Sequence, residues 1–441
     1  MNTLAELRSG ALLGSRRLRL SCGLQSFPEE IFTLADTLEI LDLSGNQLSA
    51  LPDDLPRLQR LRIIFCSDNL FTRLPEVLGQ CPQLSMIGFK ANQIETVPAA
   101  ALPPLLRWLI LTDNRVSELP PELGQCQQLQ KLMLAGNRLT TLPAEMAACT
   151  RLELVRIAAN NLNELPAWLL SLPRLSWLAY AGNPFSARHE MPEFVSTAPI
   201  ELVDWAQLVL KQQLGEGASG IIHQAAWQEA ADDVAVKVFK GALTSDGLPH
   251  NEMNACLAAG EHPNLIPVLG RIDRHPEGAA GLVMALIDQA YVNLAGPPSL
   301  DSCTRDVYAP DLQLNLPVVF RLAQGIASVA AQLHGRGIMH GDLYGHNILR
   351  CAQGHPVLGD FGAASFYDLA DLPTAEALQR LEVRAFACLL EELLQRCPPA
   401  AEHGGLWALH ARCMSENLAE RPLFAEILAV LGECAKTSGT T

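Results

Sequence analysis

Basic residues are scarce in this 441-residue sequence: 32 Lys and Arg stand against 47 Asp and Glu, for a net charge of −15. That balance argues against nucleic acid or an anionic membrane as the main partner, because both need a positive face. No stretch approaches the ~18 apolar residues of a membrane span. The opening MNTLAELRSGALLGSRRLRL has no apolar run long enough for a secretory signal. Both absences point to a cytoplasmic protein with no membrane span. The twelve cysteines contain no C-x-x-C pair. Cys81, Cys126 and Cys149 each lie three positions before a repeated Leu, at Leu84, Leu129 and Leu152. That placement predicts reduced thiols packed beneath a repeating surface, not disulfides or metal ligands. Hydrophobic residues, by contrast, make up 49% of the chain, so sizeable cores can be buried, and the length calls for two or more domains.

The first half is periodic. Asn46, Asn69, Asn92, Asn114, Asn137, Asn160 and Asn183 follow one another at steps of 23 residues, with a single step of 22. Before each Asn stands an apolar pair two apart, such as Leu41/Leu43, Ile87/Phe89 and Leu132/Leu134. After most comes an apolar-Pro pair, such as Leu51-Pro52 and Leu119-Pro120. RLRLSCGLQSFP at 17–28 reads as a degenerate earlier copy. The pattern is that of leucine-rich repeats, L-x-x-L-x-L-x-x-N. It predicts a horseshoe in which each L-x-L is a short strand with Leu inward and each Asn bonds the backbone of a buried turn. Alternation then sends the intervening residues to the concave face. Ile63, Phe65, Met86, Trp108, Ile110, Met133 and Trp177 form an apolar stripe there, a candidate surface for a protein partner. The register ends near residue 185, and 186–205 reads as cap and linker.

The second half carries a different series of motifs. LGEGASGII has the spacing G-x-G-x-x-G at Gly215, Gly217 and Gly220, with Ile222 following. Glycines there let a backbone approach phosphate oxygens. VAVKVFK places Lys237 in an alternating strand 15 residues after Ile222. HNEMNACLAAGEHPNLI supplies Glu252, with Glu261 as a second candidate. GLVMALI follows at 281–287, HGDLYGHNIL at 340–349, LGDFGAAS around Asp360, and AERPLFAEI at 419–427.

In this order the motifs resemble those of a protein kinase over residues 206–435, followed by a tail at 436–441. The fold expected is therefore an α/β leucine-rich repeat solenoid, residues 1–185, followed by an α+β bilobal protein-kinase-like domain. The resemblance implies ATP and Mg²⁺ as cofactors. It implies that Lys237, fixed by Glu252, grips the nucleotide phosphates. It puts Asp342 at the place of the base that orients the attacking hydroxyl, and Asn347 and Asp360 at the metal-binding places. The nucleotide-binding residues it implies are Gly215, Glu216, Gly217, Ala218, Ser219, Gly220, Ile222, Ala235, Lys237 and Leu349. Met284 stands at the gatekeeper place and Ala285–Ile287, including Leu286, at the adenine hinge.

The sequence departs from the family at several points. Gly341 replaces the Arg that receives a phosphorylated activation loop in many kinases, so switching by loop phosphorylation is not expected. Tyr344 replaces the Lys near the transferred phosphoryl group. Only 22 residues separate Asp360 from Glu382, and A-P-E is represented by a faint echo, TAE at 374–376. Glu382 stands where the buried helix, LEVRAFACLLEELL, normally has Asp, and Arg421 resembles the Arg that pairs with the A-P-E Glu, which leaves its partner here open. The phrase H-G-D-L-x-x-x-N-I-L also belongs to small-molecule kinases such as those acting on aminoglycosides. Three readings follow: an ATP-dependent protein kinase, most simply of Ser/Thr, whose repeats recruit a protein partner or substrate; a nucleotide-binding pseudokinase scaffold; and a kinase of a small molecule.

Overall fold

The computed structural model describes residues 2–190, 201–217, 219–241, 243–398 and 404–437. Ala218, half of the linker (191–200) and the tail end at 438–441 lie outside the described residues. The chain divides into two compact units, Met1–Arg174 with Asn183–Phe185, and Leu175–Gly182 with Ser186–Thr441.

Each L-x-L forms a three-residue strand: β1 Arg17–Arg19, β2 Ile40–Asp42, β3 Ile63–Phe65, β4 Met86–Gly88, β5 Trp108–Ile110, β6 Lys131–Met133, β7 Leu154–Arg156 and β8 Trp177–Ala179. Strands β1 to β7 make one sheet in chain order. The degenerate copy therefore provides the first strand. From β1 to β7, neighbours are parallel and in register, as in Leu41↔Ile64 and Ile87↔Leu109. The middle residue of each strand, from Leu18 through Leu132 to Leu178, is fully buried. Short 3₁₀ turns follow Pro75, Pro98, Pro120 and Pro143, each an extended residue at the turn's start.

The Asn side chains join one repeat to the next. The amide of Asn69 donates to Leu43 O at 2.9 Å in the preceding repeat and to Cys66 O at 3.1 Å in its own. Its Oδ1 accepts from Leu48 N at 2.8 Å. Asn114, Asn137 and Asn160 repeat the arrangement. These buried backbone groups would otherwise lack partners. Cys81, Cys126 and Cys149 are buried free thiols, and burial pushes the first two up to about 11 and the third to about 12.

The apolar stripe needs a correction. In-register neighbours on parallel strands stand about 4.8 Å apart and cover one another. Ile63, Met86 and Met133 are buried in this way, and Trp177, 1% exposed, is covered by the stacked ring of Tyr344. Only Phe65, Trp108 and Ile110 of the stripe remain half-buried, so those three carry what is left of the surface.

The second unit opens on a six-stranded sheet of order β10-β11-β12-β14-β13-β9. Its strands are β9 Leu202–Asp204, β10 Leu208–Glu216, β11 Gly220–Trp227, β12 Val234–Phe239, β13 Val268–Asp273 and β14 Gly281–Ala285. All pairs are antiparallel except β9, which adds in parallel to β13. That strand comes from what the sequence reads as linker. Ala235, Phe239, Met253, Leu282 and Met284 form one core cluster beneath the sheet. The helix Pro249–Ala259 packs there and stops at Gly260, whose φ of +65° no Cβ-bearing residue adopts cheaply.

Helices Leu316–Gly335, Leu372–Leu394, Gly404–Cys413 and Phe424–Thr437 build the remainder. The first has the length and apolarity to cross a membrane. Its Val319, Leu322, Ala323, Ile326, Ala330 and Leu333 are fully buried inside the unit, and that burial accounts for the apolar composition. The second helix starts at Leu372, capped by Asp371. TAE therefore lies on a helix, where Glu376 pairs with Arg380 one turn on, at 2.6 Å. Arg421 is held instead by the carbonyls of Ser415, at 2.8 Å, and Arg380, at 3.1 Å. Burial, with Arg384 nearby, brings its pKa down to about 10.

Candidate active site

The hairpin between β10 and β11 closes by a bond from Gly217 N to Gly220 O at 2.9 Å. A Cβ on Gly220 would lie 2.6 Å from Val238 O, whereas Cβ atoms on Gly215 or Gly217 would meet nothing within 4 Å. The chain itself thus requires only Gly220. The open space at the other two suits the close approach of a ligand.

Register pairing sets Lys237 opposite Ile222 on one side and Leu282 on the other. Its ammonium pairs with the Glu252 carboxylate, and the two side chains are 12% and 3% exposed. Burial works against the Lys237 charge, but Glu252 and Asp360 outweigh it and raise its pKa above the ordinary value. Glu261 is exposed beyond the helix end, so Glu252 is the partner.

In the loop 340–349, the Asn347 amide donates to Asp342 O and to Asp342 Oδ2, both at 2.9 Å. Gly359 N donates to Asn347 O at 2.9 Å, tying the loop to the strand that leads to Asp360. Asp360 has a φ of +52°, and its Oδ1 accepts from Gly362 N at 3.1 Å. His346 is fixed by Asp306, which accepts from its backbone N at 2.9 Å and bonds its Nδ1 at 2.7 Å.

Glu382 anchors the loop from below. Its Oε1 accepts from Gly341 N at 2.7 Å and its Oε2 from His340 N at 3.2 Å, while His334 Nε2 lies 2.7 Å from Oε2. Burial alone would raise the Glu382 pKa, but the bond and charge of His334, the charge of His340 and the Gly341 amide together lower it. Glu at this place therefore serves as an acceptor for two loop amides.

Tyr344 has a partner that no local pattern announced. Its ring stacks on Trp177 at 4.3 Å with an interplanar angle of 7°, and Trp177 Nε1 donates to Leu343 O at 3.2 Å.

Two adjoining cavities of about 560 and 600 Å³, both open to solvent, share Ile222, Lys237 and Asp360. The first runs past Met284 to Cys256, Leu358 and Phe361. The second lies under Gly217, Ser219 and Gly220 and is closed by Thr244 and Asp246, two residues the motifs did not single out. Gly215, Glu216, Ala235, Ala285, Leu286 and Leu349 do not line either cavity. Glu216 pairs with Lys240, Ala235 is core, and Leu349 pairs with Asn293 in a small hairpin sheet.

Residues 208–388 match the sequence model of the family protein tyrosine and serine/threonine kinase. Residues 37–58 and 104–162 match models of the leucine-rich repeat. The chain carries leucine-rich repeats and a protein-kinase domain.

Relatives divide along the same line. The chain is 27% identical over 157 residues to a probable serine/threonine-protein kinase, gdt4, of Dictyostelium discoideum, covering 33% of this chain and 8% of that protein. It is 28% identical over 213 residues to the serine/threonine-protein kinase PknH of Mycobacterium bovis, covering 43% of this chain and 33% of that one. It is 34% identical over 89 residues to the human PH domain leucine-rich repeat-containing protein phosphatase 1, covering 20% of this chain and 5% of that protein. The chain thus matches only a minor part of each of these curated relatives. Of the residues singled out from sequence, Lys237, Glu252 and Asp360 line the cavities, whereas Asp342 and Asn347 line neither.

Proposed function

We propose that the kinase domain is an active ATP-dependent protein kinase, acting on Ser or Thr, and that the repeats recruit its protein substrate or partner. The observation that carries this reading is a held polar set: the Lys237–Glu252 pair and Asp360 lining the cavities, and the Asp342–Asn347 pair, tied through Gly359 to the stretch that leads to Asp360. Asn347 and Asp360 are each held by a contact that leaves an oxygen over. With its amide nitrogen spent on Asp342, Asn347 keeps Oδ1 as an acceptor. Asp360 uses Oδ1 on Gly362 and keeps Oδ2. Two hard oxygen ligands of that kind fit Mg²⁺, and the open side of Gly215 and Gly217 fits a phosphate chain.

Mg-ATP, when bound, supplies the phosphoryl group and the neutralisation of its charge. The chain's own contribution is positioning and electrostatics. Lys237, kept protonated, draws the phosphates to the cleft. Glu252 keeps that ammonium from swinging. Asp342, oriented by Asn347, accepts the proton of the acceptor hydroxyl. Its removal is expected to cost on the order of 10²–10⁴-fold in kcat.

The short segment between Asp360 and Glu382 favours attention to a second acceptor class, small hydroxylated molecules, because in the family the missing segment forms the shelf for a peptide. The test offers both acceptors to the purified full chain with labelled ATP. Label on proteins supports the reading, and label on a metabolite fraction alone replaces it with the small-molecule one. Nucleotide binding with no transfer to either replaces it with a scaffold.

A further inference from the structure

The strand Trp177–Ala179 and the two residues after it belong to the same compact unit as the catalytic loop. Five contacts run along it in sequence order. Trp177 stacks on Tyr344 and donates to Leu343 O. The carbonyl of Leu178 lies 2.6 Å from where a Cβ on Gly341 would stand, and Ala363 O lies 2.5 Å from the same point. Tyr180 N donates to Ser365 Oγ at 3.1 Å, and Tyr180 Oη donates to Phe366 O at 3.1 Å. Trp177 and Tyr180 are each only 1% exposed. The strand therefore bridges two stretches, 341–344 before the Asn347 place and 363–366 after Asp360-Phe361-Gly362.

Those stretches are what must be held still for Asp342 and Asp360 to face one cleft. An Arg at residue 341 has no room, since Gly341 has a φ of +73° and two carbonyls crowd its open side. Two of the three hydroxyls between Asp360 and Glu382 are also committed, those of Ser365 and Tyr367. Ser365 is fully buried, and Tyr367 is buried with its Oη donating to His334 O at 3.1 Å. Neither can take a phosphate without leaving its site.

We infer that Trp177 is a positioning residue of the kinase domain: through Tyr344 and Leu343 it holds the catalytic loop in the arrangement that other kinases obtain from a phosphorylated activation loop. The inference rests on the proposed phosphotransfer activity for its kinetic arm but not for its structural one. The Tyr344 ring is the docking face for this clamp, which is why a flexible Lys does not occupy the place. A small misplacement of a catalytic group costs up to about 100-fold.

The test uses the full chain with Trp177→Ala, Trp177→Phe and Tyr344→Leu. Steady-state kinetics are read beside hydrogen exchange over residues 340–349 and 363–367. The expected result for Trp177→Ala and Tyr344→Leu is a fall in kcat of about 10- to 100-fold with KM for ATP unchanged. Exchange rises in those two stretches and nowhere else. Trp177→Phe, which keeps a ring against Tyr344 but loses the Nε1–H donor, restores most of both. Unchanged kcat and exchange in Trp177→Ala overturn the inference. So does loosened exchange throughout the domain in all three variants, which would make the contact merely structural. If the wild type transfers no phosphate, the proposed activity fails while the exchange comparison still decides the clamp.

Discussion

The side-chain amide of Asn347 reaches Asp342 twice, at the backbone carbonyl and at Oδ2, each at 2.9 Å. One residue thus aims the proposed base and keeps its remaining oxygen for a cation. Asn347→Ala should damage both roles. We expect a fall in kcat of about 100-fold and a higher Mg²⁺ concentration for half-maximal rate. A Mg²⁺ titration of the rate separates the two. A variant that loses rate with an unchanged Mg²⁺ requirement would leave only the aiming role.

Lys237 and Glu252 are a buried pair, 12% and 3% exposed. Removing one partner leaves the other charge uncompensated, at a cost of about 3–5 kcal/mol. Lys237→Met alone should therefore lower the midpoint of urea unfolding markedly. Lys237→Met with Glu252→Leu should recover most of the stability while nucleotide binding stays lost. Equal stability of the single and double variants would contradict the pairing.

Two glycines of one loop should behave oppositely. Gly220→Ala drives a Cβ to 2.6 Å from Val238 O, a backbone atom, whereas Gly217→Ala meets nothing within 4 Å. We expect Gly220→Ala to lower Tm. Gly217→Ala should leave Tm unchanged and raise KM for ATP. Thermal scans beside ATP titrations check both.

Glu382 sets an acid limit on the fold. Its carboxyl is held below the ordinary value by His334, His340 and the Gly341 amide against the effect of burial. A carboxylate depressed on folding stabilises above the unfolded value, near pH 4.3, and that contribution disappears as pH falls through the folded one. Tm should therefore drop as pH is lowered from about 5. In Glu382→Gln the drop should be shallower and the plateau at neutral pH lower, with His340 N and Gly341 N less well satisfied. A wild-type profile superimposable on that of Glu382→Gln would refute this.

What the sequence discloses depends on how far apart the interacting residues lie. The repeat sheet was legible because its rule is local: a 23-residue step puts each Asn beside its neighbour's carbonyl, and the strands fall where the Leu pairs stand. The lobes of the kinase domain were legible through motifs of a few residues each. The partners of Tyr344, Gly341 and Arg421 were not. Trp177 is separated from Leu343 by 166 positions, and no periodicity links them. Trp177 consequently looked like one more residue of a concave apolar stripe. Nor could the sequence tell that Ala235 would serve the core, or that Thr244 and Asp246 would close the cavity beneath the glycine loop.

The most direct test of phosphotransfer follows the γ-phosphate from labelled ATP in purified full-length protein with Mg²⁺, wild type beside Asp342→Ala, with nucleotide binding measured on both. The account expects label on protein hydroxyls with the wild type, loss of label by at least about 100-fold in Asp342→Ala, and equal nucleotide affinity. Equal labelling by both proteins, or none by a wild type that binds nucleotide, would contradict it.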